Sequence, residues 1–488
     1  MVMQNNRAVQ RCPGESTFSR MGIFKSYDIR GIYGKEWDSA TAYAIGRHLP
    51  ALLGARHIAV GRDVRLSTEE VFRSLTRGLT ESGCDVSDIG LCDTPAVYFA
   101  TAFYGMEGSV MITASHNPPE YNGLKISRRE AVPVGYDTGL AQLEEKVSRG
   151  ALPEPTAVPG GVRARDIRAD YVAHLARFRS DLSALRVVID CSNGMAGVYL
   201  RDALEGTGGS FTLMYEEQDG SFPHHAPNPL VEENLADLKQ RVVREKASLG
   251  ICFDGDADRV MFVDETGRFI SPDLIIGLLG TYYFTRHPDR LAGGSRAVTY
   301  DVRSSRSVVE FLRARGADPR ICRVGHSFAK KLLRDTQGIV GGELAGHYYF
   351  RENYFCDSGL IAALIVMEVL AGDGRAFSRV IEDIRKYHFS GELNFAVPNG
   401  AAIVRKVRAD YSEGQLTDID GIRIDFPDWW FNLRVSNTEP LLRLVVEAAT
   451  EDGLEERKKE LIGKIRLYTA IEAESQAASP GRSGPGSG

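Results

Sequence analysis

The sequence predicts a multidomain α/β protein, and three observations carry that prediction. Short β-branched runs alternate with longer helical patterns along most of the chain, as in Arg56-His-Ile-Ala-Val-Gly61 followed by Ser67-Thr-Glu-Glu-Val-Phe-Arg-Ser-Leu-Thr-Arg-Gly78, and that alternation builds sheets layered with helices. A strand that ends at an aspartate and turns into a polar helix start occurs three times, at Asp63, Asp190 and Asp301. The intervals, 127 and 111 residues, are domain-sized and too long for a solenoid repeat of roughly 20 to 50 residues. Any α/β chain contains strand-Asp-turn units, so the echo alone leaves both a true repeat and coincidence open. After Tyr387 the pattern changes to strands, Gly421-Ile-Arg-Ile-Asp-Phe426 and Trp429-Trp-Phe-Asn-Leu-Arg-Val435, closed by an amphipathic helix around Leu454 to Tyr468, which reads as a separate α+β domain.

Taken in order, Met1 to Arg20 is polar and lacks the apolar core of a secretion signal, so it reads as a disordered leader, with Met21 as an alternative start. Ser67 and Glu70 have capping-box spacing at the head of a helix. The Pro/Gly-rich stretch Leu152-Pro-Glu-Pro-Thr-Ala-Val-Pro-Gly-Gly161 marks a linker, and turns at Asp264 to Gly267 and Ala371 to Gly374 mark weaker borders. The end of the chain, rich in Ser, Gly and Pro, cannot bury enough apolar surface to offset its ordering entropy and reads as a disordered tail.

Composition excludes several classes. With 488 residues, 43% hydrophobic and 25% charged, the chain is neither mainly disordered nor collagen-like, and its length suits about three domains of roughly 150 residues. Lys plus Arg number 59 against 65 Asp plus Glu, a net charge of −6 that gives no global attraction to nucleic acid or anionic membrane. The seven cysteines include no CxxC pair, so neither a disulfide framework nor a zinc site is indicated, and reduced thiols in a cytoplasm fit best. The longest apolar run, near Leu360 to Met367, falls far short of the roughly 20 residues that span a bilayer.

Four segments carry chemistry. The strand Gly108-Ser-Val-Met-Ile-Thr113 runs into Ala114-Ser115-His116-Asn117-Pro118-Pro119, which puts Ser115 on a loop at a strand end, where α/β domains bind ligands; alone it is better explained as a loop-capping serine. In Asp254-Gly-Asp256-Ala-Asp258-Arg259, flanked by apolar strands, three acids at alternate positions destabilise one another unless a cation joins them, and hard oxygen ligands suggest Mg²⁺. An EF-hand is rejected, because Arg259 stands where that loop needs Gly. Gly341-Gly-Glu343-Leu-Ala345-Gly-His347 is a third polar loop, and Arg434-Val-Ser436-Asn437-Thr438-Glu-Pro440 places a guanidinium, two hydroxyls and an amide at a strand exit, a set that suits a phosphate dianion.

With Tyr27-Asp-Ile-Arg-Gly31 added, these segments stand in the order of the α-D-phosphohexomutase superfamily, and the chain resembles its phosphomannomutase/phosphoglucomutase group across nearly its whole length. The resemblance implies four domains around a central cleft, the first three related α/β domains with mixed sheets and the fourth a smaller α+β domain. The borders expected are a leader at 1–20, a phosphoserine domain at 21–160, a metal-binding domain at 161–267, a sugar-binding domain at 268–384, a phosphate-binding domain at 385–474 and a tail at 475–488. It also implies roles: Ser115 would carry the phosphate and, with Asp254, Asp256 and Asp258, hold Mg²⁺; Arg259 would sit by the metal loop. Glu343 and His347 would bind the hexose, and Arg434, Ser436, Asn437 and Thr438 would grip the phosphate that does not react. Tyr27, Arg30, Lys125 and His326 match further active-site positions, with Lys125 and His347 as candidates for proton transfer.

The implied reaction interconverts hexose 1-phosphate and hexose 6-phosphate through a hexose 1,6-bisphosphate, which also primes the dephospho enzyme, in a monomer or homodimer of the cytoplasm that engages neither nucleic acid nor membrane. Ala345, where many relatives have Ser, and Arg303, where relatives commonly have Lys, leave the exact sugar open. A phosphoglucosamine mutase, a phosphatase and a non-catalytic sugar-phosphate sensor are the alternatives. The remote phosphate clamp argues against a phosphatase, and retention of Ser115 and the acids against a sensor.

Overall fold

The structure is a computed structural model that describes residues 22–291, 294–436 and 441–477. Its strands form four sheets, and the first three share one plan. In the first, His57–Arg62 lies between Asp85–Leu91 and Gly108–Ile112, parallel to both, and Tyr121–Arg128 returns antiparallel beside Gly108–Ile112. In the second, Arg186–Asp190 lies between Ser210–Met214 and Leu249–Phe253, and Val260–Asp264 returns antiparallel. In the third, Ala297–Asp301 lies between Asp318–Cys322 and Val340–Gly342, and Tyr348–Phe350 returns antiparallel. The threefold echo in the sequence is therefore a repeated domain. Its aspartates do one job: Asp63, Asp190 and Asp301 each accept a backbone N–H from two residues on, at 3.0, 2.8 and 2.8 Å, fixing the turn that leaves the central strand.

This plan positions the site. In each repeat the turn from the third strand into the antiparallel fourth is one of the polar loops singled out above: 113–120, 254–259 and 343–347. The strands that lead into them, Gly108–Ile112, Leu249–Phe253 and Val340–Gly342, are buried along their whole length, so the loops hang from fixed rods. Between the second and third domains the helix Gly359–Asp373, apolar around nearly its full circumference, is buried from Gly359 to Met367 within one continuous core.

The fourth domain is different. Its sheet is antiparallel, in the order His388–Ala396, Leu441–Ala448, Trp429–Val435, Ile422–Asp425, Gln415–Thr417. Leu454, Leu461 and Ile465 of the closing helix, Glu451–Ala477, recur at helical spacing and pack on Phe431, Leu433, Leu444 and Val446 of the sheet.

Three local expectations change. The helix Thr68–Glu81 begins where expected, but Ser67 makes no side-chain cap; its Oγ accepts from Asn122 Nδ2 at 2.9 Å, while Asp63 receives the Thr68 hydroxyl at 2.9 Å. The Pro/Gly-rich stretch is docked: Thr156 and Gly160 donate backbone N–H groups to Glu81 and Thr80, and Val162–Ala164 then adds a parallel edge strand to the first sheet, beyond the border read at 160. The last helix runs to Ala477, past the start of the segment read as a tail, whereas the leader 1–20 and residues 478–488 lie outside the described residues. The six described cysteines are free thiols, all buried, and no helix among the described residues is long and apolar enough to cross a membrane.

Candidate active site

Ser115 follows the strand Gly108–Ile112 with its backbone in the left-handed region, φ 52°, held there by its N–H donating to Thr113 Oγ1 at 2.8 Å. A non-glycine residue in that region stores roughly 1 to 2 kcal/mol, which the surrounding loop must supply. The turn aims Oγ at the second domain, where it donates to Asp254 Oδ2 at 2.8 Å and accepts from Arg259 Nη2 at 3.0 Å. Arg259 Nε holds the same Asp254 oxygen at 2.9 Å. The acidic loop comes this close because residue 255 is glycine: a Cβ there would stand 2.5 Å from the Ser115 carbonyl oxygen.

Asp254, Asp256 and Asp258 are buried, and each offers an oxygen within 4.8 Å of the others. Burial pushes Asp254 up to about 7; Arg259 opposes the shift and the two neighbouring carboxylates add to it. Lys125 Nζ donates to Asp256 Oδ2 at 2.6 Å and also to Asp258. Oδ1 of Asp256 and Oδ1 of Asp258 remain buried with no hydrogen-bond partner. Three hard anionic ligands with orphaned oxygens fit a divalent cation. Thr94, at the head of a first-domain helix, pins this loop through its N–H to the Asp256 carbonyl at 3.0 Å and its hydroxyl to the Asp256 carboxylate.

The third-domain loop joins the second directly: Arg259 and His347 form a backbone bridge, and Val260 N–H donates to the Gly346 carbonyl at 3.2 Å. His347 Nδ1 lies 2.8 Å from Asp357 Oδ2 and 3.7 Å from Asp258 Oδ1. Burial pulls this imidazole down, but the two carboxylates outweigh it and the net shift is upward. Asp357 is itself 2.7 Å from Lys330 Nζ, with both side chains fully buried. Glu343 accepts Gly325 N–H at 3.1 Å and is pushed up to about 7, mainly by burial. His326 lies 5.8 Å from the His347 ring and 5.5 Å from that of Tyr27, whose hydroxyl crosses from the first domain to the Val324 carbonyl at 2.8 Å. Arg30 reaches the Ser115 loop through Asn117 Oδ1 at 2.8 Å.

Arg434 lies elsewhere. Its Nη2 meets Glu392 Oε2 at 3.1 Å, the same oxygen that Arg303 Nη1 reaches at 3.1 Å, while Arg443 Nη1 takes Oε1 at 2.6 Å. Burial opposes the charge on Glu392, but the three guanidinium groups win and hold it at about 2. Arg303 also pairs with Asp301, which accepts Leu344 N–H at 2.9 Å, so the Glu392 cluster and the third-domain loop share one polar chain. Ser436 stands at the strand exit beside Arg434, and Asn437 and Thr438 lie outside the described residues.

The structure thus gathers Ser115, the three aspartates, Arg259, Lys125, His347 and Arg30 in one place, sets Glu343, His326 and Tyr27 beside them, and keeps Arg434 and Ser436 apart in the fourth domain. Sequence reasoning missed Arg65, Thr94, Lys330, Asp357 and Glu392. Only Arg65 left a trace, since it stands two residues after an echoed aspartate, as Arg303 does.

Models of the four domains of phosphoglucomutase/phosphomannomutase, three α/β/α domains and a C-terminal domain, match residues 21–153, 169–267, 271–387 and 392–464. The chain belongs to this family, within the α-D-phosphohexomutase superfamily, and is a phosphohexomutase, an intramolecular phosphotransferase. Among its relatives, the phosphohexose mutases of Xanthomonas campestris pv. campestris (strain B100) are 39% identical over 449 residues, covering 91% of this chain and 98% of theirs. The phosphomannomutase of Salmonella montevideo is 38% identical over 457 residues, covering 91% and 99%. In structure, a phosphoglucomutase/phosphomannomutase family protein from Burkholderia thailandensis superposes with a TM-score of 0.83 at 30% identity, covering 92% of this chain and 97% of that one.

Proposed function

We propose that the chain interconverts the 1- and 6-phosphates of both mannose and glucose with Ser115 as the phosphate carrier. The observation that carries the proposal is the seat of Ser115 Oγ, bonded at 2.8 Å to Asp254 and at 3.0 Å to Arg259 at the edge of a buried three-carboxylate cluster. Asp254, Asp256 and Asp258 would hold Mg²⁺ there. Bound, the ion offsets the negative charge on the transferred phosphoryl group.

In the forward step the bond from Ser115 Oγ to phosphorus breaks as the free sugar hydroxyl forms one, and the hydroxyl proton leaves to a base. His347 suits that task better than Lys125: the two aspartates hold Lys125 as an ammonium ion against the opposing pull of burial, whereas the imidazole starts from the ordinary histidine range and Asp357 Oδ2, 2.8 Å from Nδ1, is placed to stabilise the imidazolium formed when it takes the proton. The hexose 1,6-bisphosphate then turns over, and its other phosphate returns to Ser115, so the same bisphosphate primes the dephospho enzyme. Arg259 stabilises the oxyanion left on Ser115, and Arg434 with Ser436 anchors the idle phosphate. The reaction runs in the cytoplasm, on free phosphosugars, in a monomer or homodimer that has no nucleic-acid partner.

Glu343 can accept hydrogen bonds from two adjacent sugar hydroxyls, and Ala345 adds no hydroxyl to read the ring. A site anchored away from carbon 2 leaves the mannose and glucose forms separated by at most one hydrogen bond worth roughly 1 to 3 kcal/mol. Assays of both 1-phosphates with a trace of bisphosphate should give kcat/KM values within about a hundredfold; a ratio beyond about a thousandfold would mean that carbon 2 is read directly.

A further inference from the structure

We infer that Arg65 is the positioning residue that holds the Ser115 loop in its reactive shape, an inference that rests on Ser115 as the carrier. Its side chain is fully buried and donates to three loop carbonyls and to the first carbonyl of the strand that follows: Nη2 to Ser115 O at 2.8 Å and Asn117 O at 2.6 Å, Nη1 to Pro118 O at 2.7 Å and Tyr121 O at 3.0 Å. The loop needs such a partner. It leaves the sheet after Ile112, so the carbonyls of Ser115 and Asn117 lie outside the ladder that would satisfy them, while that of Pro118 also accepts Tyr121 N–H at 3.1 Å.

A guanidinium is suited to this work, because its planar fork spans acceptors that the compact ammonium of a lysine cannot reach together. Asp63 Oδ2 sits 3.2 Å from Nε and keeps the fork's charge paired. The second domain closes over the arrangement from two sides: the Phe222 ring lies 5.1 Å from the guanidinium carbon, and Gly255 leaves room against the very carbonyl of Ser115 that Nη2 holds. Arg65 therefore fixes the carbonyl side of a residue whose own backbone is left-handed, and with it the direction of Oγ.

The repeat supports the assignment. The residue two after the strand-end aspartate ties down the functional loop in the second domain as well, where Ser192 Oγ donates to the Phe253 carbonyl, directly before Asp254, at 2.6 Å. In the third domain Asp301 itself takes the Leu344 N–H of the loop, which frees Arg303 to reach Glu392 in the fourth. One position in the repeat serves the loop twice and the domain seam once.

Arg65→Lys and Arg65→Gln test this in the full chain, with Ser115→Ala beside them. Transfer of labelled phosphate from glucose 1,6-bisphosphate to Ser115 is followed in single turnovers and expressed per serine that becomes labelled, so unfolded protein does not count. Both variants should transfer at least about fiftyfold more slowly, with KM for glucose 1-phosphate within about threefold of wild type, because Arg434 is untouched. Amide exchange should quicken at 114–121 and stay unchanged in the fourth domain. Lysine, which keeps the charge beside Asp63 but not the fork, should rescue little. Transfer within about threefold of wild type in folded Arg65→Lys, with Ser115→Ala inactive, would overturn the inference and leave the carrier standing. Failure of both variants to fold would overturn it too, making Arg65 an ion of the core. An active Ser115→Ala would instead remove the carrier itself.

Discussion

The two ends of the site are held in different ways. Around Ser115, short turns hung from buried strands of three domains meet at backbone distances: the Gly255 approach to the Ser115 carbonyl, the bridge between Arg259 and His347, and Thr94 on Asp256. At the other end, Arg303, Arg434 and Arg443 converge through side-chain ion pairs on one carboxylate, Glu392, with Arg434 and Arg443 opposite each other on paired strands and Arg303 reaching in from the third domain. A centre that moves a phosphoryl group gains from fixed dipoles that need no reorganisation, whereas the phosphate clamp proposed at Arg434 would gain from charges that can exchange one anion for another.

Breaking the rigid end should cost the most. Ser115→Ala removes the carrier from a loop whose backbone is held by Thr113 and Arg65, so turnover should fall by more than about a thousandfold while the melting temperature stays near that of wild type. Residual activity within about tenfold would refute the phosphoserine route. Asp256→Asn replaces one of three anionic ligands by an amide, and should lower metal affinity and transfer together by about a hundredfold, read by metal titration beside steady-state rates. Full activity in excess chelator would remove the metal from the scheme.

The clamp should respond in the other parameter. Arg434→Gln should raise KM for the 1-phosphate about tenfold or more, while single-turnover transfer from bound bisphosphate to Ser115 slows less than in Asp256→Asn. Equal losses in both variants would erase the distinction between the two ends. The smallest effect concerns pH. Glu392 is held at about 2 because three guanidinium groups outweigh the opposing effect of burial, so its carboxylate stabilises the fold above the ordinary glutamate value and that contribution fades as pH falls towards 2. Chemical denaturation from pH 5 to pH 2.5 should therefore show a shallower loss of stability for Glu392→Gln than for the wild type.

This division also explains what could be read in advance. The domain repeat was legible because a strand-end aspartate is a local device, and Asp63, Asp190 and Asp301 each cap a turn two residues ahead. Ser115 and the acidic loop were legible because unusual residues crowd into a few positions beside apolar strands. Asp357 and Lys330 were not, since a lone aspartate and one lysine of a Lys-Lys pair look like surface until the third domain folds them together beside His347. Glu392 was hidden for the same reason, its three arginines arriving from two domains. Ser67 was misread because its capping-box spacing is a common local pattern, and Asn122 takes up the hydroxyl instead.

The central claim is that phosphate passes through Ser115. Incubating the protein with Mg²⁺ and glucose 1,6-bisphosphate labelled in both phosphates, then mapping the label by peptide mass, tests it most directly. The arrangement of Ser115 between Asp254 and Arg259 predicts one phosphate per chain on Ser115, discharged when unlabelled glucose 1-phosphate is added. Label on another residue, or a label on Ser115 that the sugar phosphate fails to discharge at the turnover rate, would contradict it.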